Sequence, residues 1–353
     1  MSFAFTHEQQ PAINSLARLI RLVAFAGTGK TTTLVGYAQA HPQQRILYLC
    51  YNKSVEVSAR EKFPLHVTCK TSHGLAYGSM GAKYQHKLTG NLRLTDIARA
   101  ISSQSWDFVR AVQDTLNAFL ASADDSITID HVPSSRLKNE RMKRAAGKIV
   151  ASADHLWTRM LDVRDTSVLQ THDGYQKAWA LTRPDLSKRF DIVLADEAQD
   201  INPLLAGVLA DQASYGMGVV VCGDGHQMLY RFRGAVDALD AHWLDKAETH
   251  YLTQSFRFGP AVAKVANMIL HFKGETRPLV GLGEATRVTK TLPEDLEHRT
   301  VLCRTVIGVI ETALIAQAKN EQIFWVGGID SYHLQDIEDL YWLYAEQRDK
   351  IKN

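Results

Sequence analysis

The stretch Ala24-Phe25-Ala26-Gly27-Thr28-Gly29-Lys30-Thr31 limits what this chain can fold into more than any other segment. It closes a short strand-like run, Arg21–Phe25, and opens a helical pattern from about Lys30. Strand, glycine turn and helix in that order let backbone N–H groups converge on an anion, and the helix start adds partial positive charge. Glycines allow the close approach. Ala26, Gly27, Thr28, Gly29, Lys30, Thr31 and Thr32 are therefore expected to line a phosphate site, with Lys30 on the β- and γ-phosphates and the Thr31 hydroxyl on Mg²⁺. Ala24 stands where the general motif has glycine.

A second segment completes this chemistry. Ile192-Val193-Leu194-Ala195 reads as a buried strand, and Asp196 and Glu197 follow at its C-terminal end. Open α/β sheets bind ligands at that edge. Asp196 is expected to hold Mg²⁺ through water, and Glu197 to polarise an attacking water as general base. A GTPase would need Asn-Lys-x-Asp after these carboxylates. The chain's Asn52-Lys53 lies before them and has Val55 in the Asp position. ATP and Mg²⁺ are the cofactors this pattern implies.

The rest of the chain alternates strand and helix, then changes character. A helix over 8–20, buried strand Ile46–Tyr51 and a short strand near His66–Cys69 come first. Such alternation argues for a parallel sheet covered on both faces. Residues 80–175 carry helical periodicity and a basic stretch, Arg136, Lys138, Arg141, Lys143, Arg144 and Lys148. A solvated helix face and a DNA contact both fit that stretch. Strands resume at Phe190–Ala195, Gly218–Cys222 and His250–Thr253. Helices over 259–271, 305–318 and 331–346 then interleave with strands Thr300–Cys303 and Gln322–Val326. A length of 353 residues suits two or three domains. Net charge is only +2, so any surface for nucleic acid must be local. The four scattered cysteines read as reduced thiols, and neither a secretory start nor a run of roughly 20 apolar residues is present. A cytoplasmic, nucleoid-associated protein away from membranes is the expectation.

Five further segments carry a resemblance. Phe5-Thr6-His7-Glu8-Gln9 resembles a Q-motif. Tyr51-Asn52-Lys53 and Thr71-Ser72-His73-Gly74-Leu75-Ala76-Tyr77 resemble motifs Ia and Ib. Val221-Cys222-Gly223-Asp224-Gly225-His226-Gln227-Met228-Leu229-Tyr230-Arg231-Phe232-Arg233-Gly234-Ala235 resembles motif III, and Leu252-Thr253-Gln254-Ser255-Phe256-Arg257-Phe258-Gly259 resembles motif IV. In this order, from residue 5 to about 345, the chain resembles superfamily 1 DNA helicases of the UvrD/Rep type, most closely their F-box DNA helicase branch.

The resemblance implies a role for each segment. Gln9 would read the adenine edge, and Phe256 would stack on adenine. Gln227 would sense the γ-phosphate, and Arg257 would act as an arginine finger. Asn52, Lys53, Thr71, His73, Tyr230, Phe232, Arg233 and Arg304 would contact DNA, with Phe232 where many relatives have Trp. An aromatic ring there still stacks on any base.

The family fold is α/β: a P-loop RecA-like parallel-sheet motor domain (1–79 and 174–253), a helical insertion (80–173) and a second RecA-like domain (254–353). The family's next motifs, Thr-x-His-x-x-Lys-Gly and Thr-Arg-Ala, do not occur, so the second domain is expected to be incomplete, in a fragment, a truncated product or a degenerate relative. The resemblance implies an ATP-dependent 3′→5′ helicase or translocase acting on single-stranded DNA and single/double-strand junctions in repair or recombination. A nucleotide-dependent DNA-binding protein without unwinding activity is the alternative.

Overall fold

The computed structural model describes residues 4–50, 52–228, 237–291, 296, 298–332 and 334–352. They form two compact units, residues 1–288 and 289–353. The first is built on a parallel sheet. Helix α1 (Gln9–Asn14) leads into strand β1 (Leu19–Ala24), α2 (Lys30–Ala40), β2 (Ile46–Cys50), α3 (Lys53–Lys62), β3 (Val67–Thr71) and α4 (Ser72–Ser79). The expected helix over 8–20 ends early, because Ser15 is extended and Leu19 is already paired with Val219.

The chain then leaves the sheet. A two-residue pair, β4 (Leu88–Thr89) and β5 (Gln170–Thr171), brackets helices α5 (Leu94–Ala100), α6 (Trp106–Ala121), α7 (Ser134–Leu137) and α8 (Glu140–Leu161). Helix α9 (His172–Leu181) returns it. Strand β6 (Ile192–Ala195), α10 (Pro203–Ser214), β7 (Gly218–Gly223) and β8 (Glu248–Leu252) complete a six-stranded sheet in the order β3-β2-β6-β7-β1-β8. Every pairing in it is parallel.

Strands buried on both faces need apolar residues at every position, and β2 and β6 are buried along their whole length. Successive side chains feed two separate cores. Leu47, Leu49, Val193, Val219 and Val221 pack with Tyr175 and Trp179 of α9 and Leu204 and Val208 of α10. Ile46, Tyr48, Leu194 and Val220 pack with Leu34 and Tyr37 of α2 and Ala59 of α3. Cys50, Cys69 and Cys222 are free thiols inside this second core.

The inserted helices own a third core. Val109, Val112, Leu116 and Phe119 of α6 meet Ile149, Leu156 and Met160 of α8. Arg136 pairs with Asp114 at 2.7 Å, whereas Arg141, Arg144 and Lys148 are exposed along α8. Two buried lysines close the helix ends. Lys87 donates to the Arg159, Asp162 and Asp165 carbonyls at the end of α8, at 3.3, 2.8 and 2.7 Å. Lys177 donates to the Ser122 and Asp124 carbonyls beyond α6, at 2.8 and 2.6 Å, and lies over the Phe119 ring. The Arg159 carbonyl lies in the last turn of α8, where it has no intrahelical partner, and the other acceptors are at or just past the helix ends, so each buried ammonium is compensated by carbonyl oxygens.

Beyond β8, strand β9 (Gln254–Ser255) pairs in parallel with β10 (Val280–Gly281), with α11 (Pro260–Phe272) between them. The second unit contains α12 (Val306–Ala318) and α13 (Leu334–Tyr344). The strands expected over 300–303 and 322–326 are absent there, since neither segment has a strand partner among the described residues. An apolar run without a neighbour to complete its hydrogen bonds stays irregular. Among the described residues, no helix is long and apolar enough to cross a membrane.

Burial pushes the Lys177 amine down to about 8 from an unfolded-chain value of 10.5. The folded state therefore holds that proton less tightly, and wild-type stability gains from this group as pH rises across that window. Lys177→Met should lower stability by on the order of 2–3 kcal/mol, because buried carbonyls lose their donor. Thermal unfolding from pH 7 to 10 should show its deficit against wild type widening above about pH 8. A pH-independent deficit would contradict a charge penalty at Lys177.

Candidate nucleotide site and nucleic-acid rim

The loop between β1 and α2 turns on two left-handed glycines, Gly27 at φ 75° and Gly29 at φ 82°. A side chain at Gly27 would bring its Cβ within 2.5 Å of the Arg257 Cβ and 2.7 Å of the Ser255 hydroxyl. One at Gly29 would meet the Gln9 amide nitrogen at 2.8 Å. The glycines thus serve both conformation and approach. Thr28 is buried, and its hydroxyl donates to the Phe25 carbonyl at 2.8 Å, which ties the loop to the strand it leaves.

Strand order sets β6 two places from β1, with β7 between them, so the loops after all three meet at one edge. Lys30 reaches Glu197 across this edge at 3.4 Å. The Thr31 hydroxyl donates to Asp196 Oδ2 at 3.2 Å, and the Glu197 amide to Oδ1 at 2.9 Å. Enclosure, then the neighbouring Glu197 charge, push the Asp196 carboxyl above the usual range, against donors from Tyr48 and Glu197 and the Lys30 charge. Glu197 itself is left-handed at φ 51°, a strained turn directly after β6. Gln199 donates to Glu197 Oε2 at 2.8 Å and accepts the Asp224 amide at 2.9 Å. Gln227 donates to Asp224 Oδ2 at 2.5 Å.

A third strip joins from the chain's two flanks. Gln9 is buried, accepts from the Thr6 amide at 3.0 Å and donates to the Thr28 carbonyl at 3.3 Å. Glu8 accepts from both the amide and the hydroxyl of Thr253 at 2.7 Å. The Phe256 amide donates to the Gly27 carbonyl at 2.9 Å, so Phe256 and Arg257, both exposed, sit directly on the glycine loop. These groups fit a nucleoside triphosphate with a divalent cation. A cradle that a single Cβ would fill lies between a lysine at a helix start, a hydroxyl next to a carboxylate, and an exposed aromatic ring.

The rim residues are held by local bonds. Asn52 caps α3 through Val55 N at 2.9 Å, and Thr71 caps α4 through Gly74 N at 2.9 Å. Lys53 pairs with Glu56 at 2.7 Å, and His73 faces Asp173 at 3.1 Å. Glu56 is buried, pairs also with Arg60 and accepts the Thr71 amide at 3.1 Å, so one carboxylate connects the two expected contact segments. Arg304 is exposed and belongs to the second unit. Tyr230, Phe232 and Arg233 lie outside the described residues.

Sequence reading overlooked Tyr48, Glu56, Gln199 and Glu8. Tyr48 sits in a run read as a strand, and Glu56 sits mid-helix among charged residues. Gln199 is the detectable one, because it directly follows the acidic pair and Ala198.

Comparison with known proteins shows where the chain is similar in sequence. A family described as an AAA domain matches residues 9–233. The chain is 35% identical to "F-box DNA helicase 1" of Gallus gallus over 373 residues, which covers 98% of this chain and 36% of that protein. It is 34% identical to "F-box DNA helicase protein 1" of Schizosaccharomyces pombe over 285 residues, 75% of this chain and 32% of that protein. An 89-residue stretch is 37% identical to "Probable DNA helicase II homolog" of Mycoplasma pneumoniae, covering 24% and 12% of the two chains. The chain thus spans about a third of the length of its two long-matching relatives.

Burial alone would raise the Glu56 carboxyl, but the Lys53 and Thr71 bonds and the Lys53 and Arg60 charges outweigh it and hold it below the usual range. A depressed carboxylate stabilises the fold above its unfolded pKa, and that contribution is lost as pH falls through the folded value. Glu56→Gln should therefore be less stable than wild type at pH 7, with the gap closing below about pH 4. Chemical unfolding at both pH values measures it, and a gap that persists in acid would mean that charge is not what Glu56 supplies.

Proposed function

This chain belongs to the UvrD/Rep-like superfamily 1 helicases, alongside the F-box DNA helicases, and from that premise we propose that it is an ATP-driven motor moving 3′→5′ on single-stranded DNA. The observation that carries the reading is the contact of Ser255, Phe256 and Arg257 with Gly27. Through it, a segment beyond the main sheet borders whatever the glycine loop holds. ATP with a divalent cation, taken as Mg²⁺, supplies the phosphoanhydride bond whose cleavage drives movement.

The chain's own residues divide the work. The amides of Ala26–Thr32 and the Lys30 ammonium hold the phosphates, and Gln9 and Phe256 hold the base. Thr31 and Asp196, whose side chains meet at 3.2 Å, would hold the cation, which would supply positive charge beside the phosphates. Glu197, held by Gln199, accepts a proton from the attacking water. Arg257 neutralises charge developing on the transferring phosphoryl group, and Gln227 senses that group. Asn52, Lys53, Thr71 and His73 contact DNA, with Glu56 connecting their two segments; Tyr230, Phe232, Arg233 and Arg304 are assigned DNA contacts from the family resemblance alone. Residues 1–79 and 174–253 act as the first motor domain, 80–173 as its helical insertion and 254–353 as part of a second. Substrates are single strands and single/double-strand junctions, and the work is repair or recombination on cytoplasmic DNA.

Lys30→Ala should abolish DNA-stimulated ATP hydrolysis measured as phosphate release, and equal rates for the two proteins would remove the motor reading. Arg257→Ala should lower kcat by about 10³-fold, the scale of an arginine finger, with nucleotide affinity largely kept. A loss confined to KM would assign Arg257 to binding instead.

A further inference from the structure

Tyr48 lies in a strand, in none of the motif segments, and its side chain is only 1% exposed. Most such rings are core filling. This one ends on a functional group, since its hydroxyl donates to Asp196 Oδ2 at 2.7 Å. We propose that Tyr48 is a positioning residue that sets the orientation of the Asp196 carboxylate and thereby the site's affinity for a divalent cation. The inference rests on the nucleotide site proposed above.

The carboxylate is held from three sides. The Glu197 amide takes Oδ1 at 2.9 Å, and Oδ2 is shared by Tyr48 and the Thr31 hydroxyl, the latter at 3.2 Å. Terminal carboxylate rotation is otherwise broad, so these donors choose one plane for it. Tyr48 is the rigid member of the set. It projects from β2, paired on both sides by β3 and β6, and its ring packs on Phe63 with centroids 4.4 Å apart.

Space beside the pair suits a hydrated ion. A cavity of about 380 Å³ is lined by Thr31, Tyr48, Ser58, Lys62, Asp196 and Glu197. Small divalent cations such as Mg²⁺ keep several waters and take only one or two carboxylates. Partners behind a metal ligand typically change metal affinity by about 10–100-fold when removed. Phenylalanine at 48 would keep the packing and remove only the donor.

The test titrates Mn²⁺ into the full chain with a non-hydrolysable ATP analogue, followed by electron paramagnetic resonance. Tyr48→Phe should weaken Mn²⁺ at least about 10-fold. Its binding of a fluorescent ATP analogue in chelator should match wild type. Phe63→Leu should lower the melting temperature while retaining most Mn²⁺ affinity, which separates the hydroxyl from general loosening. Mn²⁺ affinity of Tyr48→Phe within about twofold of wild type would overturn the inference alone. So would an equal loss of nucleotide affinity without metal. If wild type binds neither probe, the nucleotide reading itself falls, and this inference falls with it.

Discussion

Parallel pairing of β1 between β7 and β8 is the constraint from which the site follows. It leaves the C-terminal ends of β1, β6 and β7 on one edge, with β7 as a spacer. Residues far apart in sequence then meet across that edge. Lys30 and Glu197 come within 3.4 Å, and Asp224 reaches Gln199 from the next loop. Helices α2 and α10 leave toward opposite faces of the sheet, which opens the crevice between them. Without a parallel sheet none of these loops would share an edge.

Buried polar groups then specify the details. Glu56, Gln199, Lys87 and Lys177 are each nearly inaccessible, and each makes at least two directed bonds. A buried charge or amide without partners costs several times what a satisfied one contributes, so each enforces one arrangement of its surroundings. The two lysines act on the helical insertion, at the ends of α6 and α8. Glu56 and Gln199 act on the rim and the acidic pair. The same principle thus shapes the scaffold and the site, in different places.

Three features of the six-stranded sheet and its edge were legible from local pattern. The glycine loop, the apolar run before Asp196 and the alternation of strands with helices all depend on neighbours in sequence. Boundaries were less legible: α1 stops at Asn14 because the chain is needed in β1, a demand made by β7 more than 190 residues away. The runs at 300–303 and 322–326 have strand composition and no strand, because pairing requires a partner that composition does not supply.

The sequence alone determined which side chains are available: the glycine loop with its lysine, the carboxylate pair and the order of segments that marks the helicase family. These are properties of contiguous residues, encoded by type and spacing. Only the tertiary structure decided which side chains stand behind them. Tyr48 reaches Asp196 across 148 positions, Glu8 reaches Thr253 across 245, and Arg257 rests on Gly27. Such contacts arise from strand order and register, which no local stretch of residues specifies.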